Sequence, residues 1–234
     1  MRYQIADLIA DIPAADGLAV RCRDYLYTGD RATDIIISAE KYRADRYSPA
    51  MPRESLAYME SAYQFYKALI SYGGFYIHAS TVVRDGKAYL FSAPSGTGKS
   101  THTRLWIDTF GGDTRVINDD KPALRKIDGI WYAYGTPWCG KDDINLNERV
   151  PVAGLCFLEQ APYNKIHKLD QDQAMSRILA QTIFRLDNMS QLDTMLKAVT
   201  EFLSDIPVYR LENLPEPAAA ILSYETMRGN SCED

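Results

Sequence analysis

The sequence of 234 residues predicts an α/β fold: a phosphate-loop core with a mixed β-sheet and flanking helices, and a small β-rich N-terminal subregion. Three observations predict it. The run FSAPSGTGKST at 91–101 is a glycine-rich loop between an apolar segment and a helical one. A second apolar run, RVIND at 115–119, ends in acids. Short apolar runs and segments of helical periodicity alternate along much of the chain.

The overall composition excludes several classes of partner. The chain carries 26 basic and 31 acidic residues, a formal charge of −5. This net charge gives no overall electrostatic attraction for nucleic acid. Its four cysteines form no CxxC pair, which argues against a zinc site or a disulfide framework. Asp7 and Asp11 interrupt the N-terminal apolar run, and no run approaches the roughly 20 residues of a membrane span. We therefore expect a cytoplasmic protein with neither a nucleic-acid nor a membrane partner.

The chain divides near residue 50. Residues 1–50 hold three short apolar runs, YQIADLIADIP, LAVRCRDYLY and DIIISAEKY, which predict strands or hairpins of the N-terminal subregion. From Pro52 to about Tyr72 the pattern is helical and stops at a glycine pair. The apolar positions that indicate this helix are Leu56, Met59, Tyr63, Tyr66 and Ile70. Residues 51–228 are predicted to form the catalytic domain and 229–234 a frayed tail.

The central elements follow in a nucleotide-binding order. Strands are predicted at 75–83 and 87–93, joined by an Asp-Gly turn, and the second enters the glycine loop. A helix at 99–110 and a buried strand at 115–119 come next. The remaining prediction comprises strands 122–127 and 130–135, a loop at 136–151, strands 152–159 and 165–169, helices at about 171–186 and 190–204, strand 207–212, and a helix at about 217–228.

The glycine loop predicts a phosphate cradle. Its backbone N–H groups and the positive end of the following helix suit phosphate oxygens. Lys99 supplies a cation for the β- and γ-phosphates, and the Ser100 hydroxyl is a magnesium ligand in such loops. Ala93 replaces the first glycine of the usual pattern but leaves the phosphate-facing positions intact. The alternative is a flexible turn with an exposed lysine. The predicted cradle comprises Ser95, Gly96, Thr97, Gly98, Lys99, Ser100 and Thr101.

An acidic pair follows the second buried strand. Asp119 and Asp120 lie 20 and 21 residues after Lys99. Neighbouring side chains of an extended chain point in opposite directions, so one carboxylate can meet a metal while the other serves as a general base. The alternative is that the Asn-Asp-Asp-Lys-Pro string merely forms a turn. His78, within the strand predicted before the loop, is either a core histidine or a group near the phosphate.

These motifs together resemble a known enzyme group. The run HASTVVRDGKAYLFSAPSGTGKST followed by INDDKPAL is similar to the catalytic core shared by HPr kinase/phosphorylase and the nucleotide domain of phosphoenolpyruvate carboxykinase, over about residues 75–160. The resemblance implies that fold type, with ATP and Mg²⁺. It implies that His78 lies near the transferred phosphate, Lys99 binds the β/γ-phosphates and Ser100 meets magnesium. It further implies that Asp119 is the acid/base and that Asp120 lies near the metal.

The function implied is that of an ATP- and Mg²⁺-dependent kinase. Its acceptor would be a hydroxyl, most plausibly a serine of a small protein, a peptide or a metabolite. The alternatives are a carboxykinase-type enzyme and a nucleotide-binding regulator without transfer chemistry. Thr101 stands where HPr kinases have a glutamate, and their signature after the acidic pair is absent, so phosphorolysis stays open. HPr kinases form hexamers, so the resemblance also implies a homo-oligomer.

The loop TPWCGKDDINLNERVP is a further candidate. It combines an aromatic residue, Trp138, with glycine and charges of both signs, as a lid over the nucleotide or acceptor would. Lys141 or Arg149 would then neutralise the transferring group, and Asp143 or Glu148 would complete a metal shell. The alternative is a solvated loop with ordinary surface charges.

Overall fold

A computed structural model of the chain describes residues 1–182 and 189–229. The strands are β1 Arg2–Ile5, β2 Leu8–Asp11, β3 Ile35–Ile36, β4 Gly74–Tyr76, β5 Ala79–Arg84, β6 Lys87–Ser92, β7 Arg115–Asn118, β8 Ala123–Ile127, β9 Ile130–Tyr134, β10 Arg149–Gln160, β11 Lys165–Lys168 and β12 Val208–Asn213. The helices are α1 Asp16–Arg21, α2 Arg53–Leu69, α3 Lys99–Phe110, α4 Gln171–Leu179, α5 Met189–Asp205 and α6 Pro217–Met227. The predicted helix end at 183–186 and the predicted frayed tail after residue 229 lie outside the described residues.

The main sheet mixes parallel and antiparallel strands. Within the described residues nine strands form it, in the order β4-β8-β9-β10-β6-β5-β7, with β12 beside β10 and β11 beside β12. Side chains alternate between its faces, since Leu90 joins one apolar cluster while Tyr89 and Phe91 join the other. Helices α4 and α5 cover the first face, and α3 and α6 cover the second. The prediction of a mixed α/β fold with flanking helices is confirmed.

Strand β5 lies between β6 and β7 and runs antiparallel to both. Because β6 and β7 are therefore parallel to each other, their carboxyl ends meet at one edge of the sheet. The register pairs Ala79 with Ser92 and Thr81 with Asn118, so β5 begins where its two neighbours end. The glycine loop, the acidic pair and the segment before β5 thus converge at one edge.

The strand predicted over 75–83 is interrupted. Its first part, β4, pairs with β8, and its second part, β5, pairs with β6, so the chain changes partner at Ile77 and His78. His78 is consequently not in the middle of a strand. The backbone N–H of His78 donates to the Gln181 carbonyl at 2.8 Å, outside either ladder. The prediction of a continuous strand was wrong because hydrophobicity cannot show a change of partner.

The N-terminal subregion differs in part from the prediction. Strands β1 to β3 form a three-stranded sheet, but the run LAVRCRDYLY forms α1 and a 3₁₀ turn, not a strand. Its buried residues Leu18, Cys22 and Tyr25 are spaced by four and three, which is helical spacing. The sheet and α1 share an apolar cluster with Phe65 of α2 and with Trp138. The predicted boundary at residue 50 stays a prediction.

Helix α2 has the predicted ends, and of the predicted apolar positions Tyr66 and Ile70 are buried. A 3₁₀ turn follows it, and Gly73 then adopts φ of +69°, a left-handed conformation that favours glycine at a helix end. Met59 is 37% exposed. The buried face also carries Phe65 and Leu69, because α2 packs between the N-terminal sheet and the segment around Trp138. No membrane-spanning helix was found in the part of the chain that the structure describes.

A buried polar cluster joins α3 to α6. The Trp106 indole N–H is shared between His102 Nε2 at 3.2 Å and the Ser223 hydroxyl at 3.0 Å. His102 Nε2 therefore acts as an acceptor, which requires a neutral ring. Burial lowers the pKa of His102 to about 3. The helix following the glycine loop is thus anchored to α6 through a histidine that stays uncharged.

This burial makes stability depend on pH. The unfolded chain binds a proton at an ordinary histidine, with a pKa of about 6.5, whereas the folded chain does not bind it until far lower pH. The contribution of neutral His102 to the stability of the folded protein is therefore fully present above pH 6.5, and it decreases as the pH drops below that value. Relative to His102→Gln, the free energy of unfolding should decrease by about 1.4 kcal/mol per pH unit below that value. Urea unfolding between pH 7 and 4.5 measures the free energy of unfolding of both proteins. The same pH dependence in the parent protein and in His102→Gln would contradict a neutral, buried His102.

Candidate functional site

The glycine loop connects β6 to α3, which begins at Lys99 directly after the loop glycines. Gly96 and Gly98 adopt φ of +82° and +116°, conformations that residues with a side chain rarely accept. Ala93 is buried in the apolar cluster beneath α3, and its carbonyl accepts a hydrogen bond of 2.8 Å from Lys99 Nζ. At the loop entry, the Ala93 side chain therefore packs in the apolar cluster and its carbonyl accepts the Lys99 hydrogen bond. Burial lowers the pKa of Lys99; nearby Asp120 opposes that shift and Lys121 adds to it.

The acidic pair is held by Asn118, the buried last residue of β7. Its side-chain oxygen accepts hydrogen bonds from the backbone N–H groups of Asp120 at 2.9 Å and Lys121 at 2.7 Å. Its amide donates to the Thr136 carbonyl at 3.0 Å. The Asn-Asp-Asp-Lys string does form a turn, as its composition indicates, and this turn presents both carboxylates to the sheet edge.

Asp120 is held as an anion by two neighbours. One oxygen lies 3.0 Å from His78 Nε2, and the other pairs with the Lys121 ammonium. Burial alone would raise the pKa of Asp120, but His78 and Lys121 outweigh it and lower the pKa to about 2. The other ring nitrogen of His78 lies 3.1 Å from the Gln181 side-chain oxygen. His78 is thereby oriented from both sides.

Asp119 has the opposite electrostatic character. Burial raises the pKa of Asp119, although its carboxylate accepts a hydrogen bond from the Gly140 N–H that partly opposes the shift. Contact at Gly140 is close: a Cβ added there would lie 2.7 Å from Asp119 Oδ2. The backbone carbonyl of Asp119 accepts from the Ser80 hydroxyl of β5 at 3.0 Å. The two adjacent acids therefore titrate in opposite directions from their ordinary values.

These groups line one open cleft of about 520 Å³, which we call the phosphate cleft. Nine of the residues predicted from the sequence border it: His78, Ser95, Gly96, Gly98, Lys99, Ser100, Thr101, Asp119 and Asp120. Thr97, the remaining predicted residue, borders a neighbouring cavity of about 520 Å³ that has apolar walls from Leu105, Leu158 and Pro215. Gly96 and Gly98 border both, so the two cavities adjoin at the glycine loop. The chemical roles of these residues stay predictions.

The loop after β9 is not a free lid. Trp138 is buried, donates to the Ser61 hydroxyl at 3.0 Å and packs against Phe65, with ring centroids 4.7 Å apart. The loop is anchored in the N-terminal core because burial of this aromatic ring is far more favourable than its exposure. The expectation of an aromatic side chain that closes over the nucleotide is therefore wrong, while Lys141 and Asp142 do border the phosphate cleft.

The other charged candidates of that loop point elsewhere. Arg149 pairs with Asp7, and Glu148 pairs with Arg115. Asp143 pairs with Arg21 of α1. None of the three borders the phosphate cleft. The described residues contain no group of three or more histidine, cysteine or acidic side chains arranged to hold a metal.

Some residues of the site escaped sequence reasoning. Gln181 is separated from His78 by more than a hundred residues, and no local pattern marks it. Asn118 carried a signal, since an asparagine before acids often caps a turn through its side chain. Tyr66 of α2 hydrogen-bonds the Lys121 carbonyl, a contact that only the packing of α2 could reveal.

Comparison with known proteins gives a family for the chain. Residues 51–214, which are 164 of the 234, match the family described as SynChlorMet cassette protein ScmC. The chain belongs to the ScmC family. A search of curated proteins found no match. Among solved structures, the HPr(Ser) kinase/phosphatase from Coxiella burnetii is similar at 14% identity, over 56% of this chain and 92% of that chain, with a TM-score of 0.28.

The matched part of the chain contains the whole phosphate cleft. His78, the glycine loop, the acidic pair and Gly140 all fall between residues 51 and 214. Strands β1 to β3 and α1 precede the match. The site therefore belongs to the family region, whereas the N-terminal sheet lies outside it.

Asn118→Ala tests whether the acidic turn depends on its side chain. Loss of four hydrogen bonds leaves the part-buried N–H groups of Asp120 and Lys121 without this acceptor, so we expect a loss of about 2–4 kcal/mol in the free energy of unfolding. Asn147→Ala is the matched control, because this exposed asparagine makes a single hydrogen bond to the Asp24 carbonyl. Chemical unfolding measures both; equal effects of the two variants would show that Asn118 does not hold the turn.

Proposed function

We propose that this ScmC-family protein is an ATP- and Mg²⁺-dependent phosphotransferase that acts on a hydroxyl acceptor. The observation that carries the proposal is the convergence of Lys99 and Ser100 with Asp119, Asp120 and His78 on one cleft. A glycine loop by itself indicates only nucleotide binding. Two carboxylates of opposite electrostatic character facing that loop supply what transfer to a hydroxyl needs: a permanent anion and a proton acceptor.

The two cavities at the glycine loop suit the two halves of a nucleotide. The phosphate cleft holds the polar groups, and the neighbouring cavity offers the apolar side chains of Leu105, Leu158 and Pro215 to a flat base. Gln160, which borders the neighbouring cavity, donates to the Thr97 carbonyl at 3.3 Å. A triphosphate lying along the loop would therefore place its base between α3 and the ends of β10 and β12.

The donor set fits magnesium. Ser100 and Asp120 offer oxygen ligands to one cleft, and Mg²⁺ prefers oxygen ligands. This ion is commonly held by one or two carboxylates together with substrate phosphates, so the lack of a larger ligand cluster among the described residues agrees with it. When bound, Mg²⁺ would neutralise charge on the β- and γ-phosphates.

The proposed reaction follows from the separate environments of the acids. Lys99 and the loop N–H groups hold the β- and γ-phosphates in line with the acceptor. The acceptor oxygen forms a bond to the γ-phosphorus while the bond from that phosphorus to the β–γ bridging oxygen breaks, leaving ADP. Asp119, whose pKa is raised by burial, accepts the hydroxyl proton. Asp120, whose pKa is about 2, stays anionic beside His78 and would hold the metal together with Ser100.

Lys99→Ala tests the cradle. Removal of a charge-assisted contact worth about 1.5–3 kcal/mol should weaken the binding of ATP by roughly 10- to 100-fold. Lys87→Ala, at the exposed start of β6, is the matched control and should leave the affinity unchanged. Titration with a fluorescent ATP analogue measures both, and an unchanged affinity in Lys99→Ala would remove the basis of the proposal.

Asp119→Asn tests the proposed base. Transfer of phosphate from ATP to a serine acceptor should fall by about a hundredfold or more, with ATP affinity retained. Gly140→Ala should reproduce this loss, because its methyl group displaces the Asp119 carboxylate. Asp113→Asn, an exposed acid, is the control. With the serine acceptor, the reaction is followed by detecting phosphoserine. With oxaloacetate as an alternative acceptor, it is followed by detecting phosphoenolpyruvate.

The outcomes separate the alternatives. An active Asp119→Asn protein would reassign the proton acceptor to Asp120 or His78. Formation of phosphoenolpyruvate would favour the carboxykinase-type reaction. Binding of ATP with no transfer to any hydroxyl acceptor would favour a nucleotide-binding regulator.

A further inference from the structure

A second cleft, of about 650 Å³, lies on the other side of the acidic pair. Asp120, Gly140 and Lys141 border both this cleft and the phosphate cleft. The opposite wall of the second cleft comes from α1, from Met51 just before α2 and from the first part of α2. The two clefts therefore meet at the acids, one built by the glycine loop and the other by the N-terminal part of the chain.

The position of the second cleft suits an acceptor. In phosphoryl transfer the attacking and leaving oxygens lie roughly in line on opposite sides of the phosphorus. A nucleotide held by the glycine loop has its leaving ADP on the loop side, so the acceptor approaches from the side of the acids. Gly140, whose N–H binds the Asp119 carboxylate, stands at that junction. A hydroxyl entering through the second cleft thus meets Asp119 beside the γ-phosphate.

The wall from α1 and α2 presents apolar groups. Val20 is 61% exposed and Met59 is 37% exposed, and both border the cleft together with Met51. Exposed apolar side chains gathered around one concavity are typical of an interaction site. Methionine side chains are flexible and polarizable, so they adapt to apolar partners of different shape.

Three polar side chains of the same wall already have partners. Arg21 pairs with Asp143 and lies over the Tyr58 ring, 4.9 Å from its centroid. The Tyr58 hydroxyl donates to the Cys139 carbonyl at 2.6 Å. Glu54 accepts from the Gly17 N–H at 3.0 Å. A sugar or a free amino acid would need several unused donors and acceptors, and this wall offers it an apolar surface instead.

We infer that the second cleft binds the phosphate acceptor as a peptide segment in which an apolar side chain lies next to the hydroxyl-bearing residue. The hydroxyl lies at the Asp120 and Gly140 end, and the apolar side chain packs against Val20, Met51 and Met59. This inference rests on the proposed function for the chemistry, but the binding itself is separately measurable.

The test compares two blocked tripeptides, N-acetyl-Leu-Ser-Leu-amide and N-acetyl-Gly-Ser-Gly-amide, with serine amide as a small polar probe. Each is titrated into the 234-residue protein carrying ¹³C-labelled methionine and valine methyl groups, with and without a non-hydrolysable ATP analogue and magnesium. The leucine peptide should shift the methyl signals of Val20, Met51 and Met59. It should bind at least about tenfold more tightly than either of the other two, because its apolar side chains are buried on binding.

Two variants locate the binding surface. Val20→Asp and Met59→Asp each place a charge on the apolar wall at an exposed position, so both should fold and both should weaken the leucine peptide about tenfold or more. Ile130→Asp is the matched control: it is 48% exposed and borders neither cleft. All three should bind the ATP analogue as the parent protein does, and thermal unfolding checks that each is folded.

The inference would be overturned by equal binding of the three probes, by methyl shifts elsewhere only, or by equal effects of the Val20 and Ile130 variants. Tighter binding of serine amide would overturn it too, in favour of a small polar acceptor. Selective binding of the leucine peptide in the second cleft, without phosphoserine formation from ATP, would uphold the binding surface and refute the proposed function. Transfer of phosphate to serine at a rate that does not depend on the flanking side chains would uphold the proposed function and refute the binding surface.

Discussion

The insertion of β5 between β6 and β7 is the constraint on which the site depends. Because β5 runs antiparallel to both neighbours, β6 and β7 end at the same edge, and the segment before β5 begins there. Three stretches far apart in sequence thereby place a histidine, a glycine loop and two acids around one cleft. The helices on the two faces of the sheet hold this arrangement, with α3 locked to α6 through the neutral ring of His102.

Two adjacent carboxylates acquire different chemistry from their surroundings alone. Asp120 faces His78 and Lys121, which favour its anion, and its pKa falls to about 2. Asp119 turns the other way, toward Gly140, where burial dominates and raises its pKa. A difference of this kind between neighbouring acids is how one site supplies both a permanent negative charge and a proton acceptor. Asn118 and α2, through Tyr66, keep the turn in the geometry that separates them.

Much of the fold could be predicted locally. Helix α3 has the predicted limits, and α2 nearly so, because a glycine or a proline marks each end and the apolar spacing is regular. The prediction of a strand for the run LAVRCRDYLY failed because its apolar content suits a strand, while the spacing of its buried residues, Leu18, Cys22 and Tyr25, is helical. The prediction of a continuous strand through His78 failed for another reason. Strands β4 and β5 pair with different strands, and pairing partners are a property of the whole sheet.

The sequence by itself determined the glycine loop, the acidic pair and the limits of their flanking elements, because these depend on local backbone preference and on residue types that few other structures require. Only the tertiary structure decided which groups meet. It oriented His78 with Gln181, anchored Trp138 in the core in place of a lid, and placed Val20 and Met59 beside Asp120. Such contacts join residues distant along the chain, and their geometry comes from packing between elements, for which no local pattern exists.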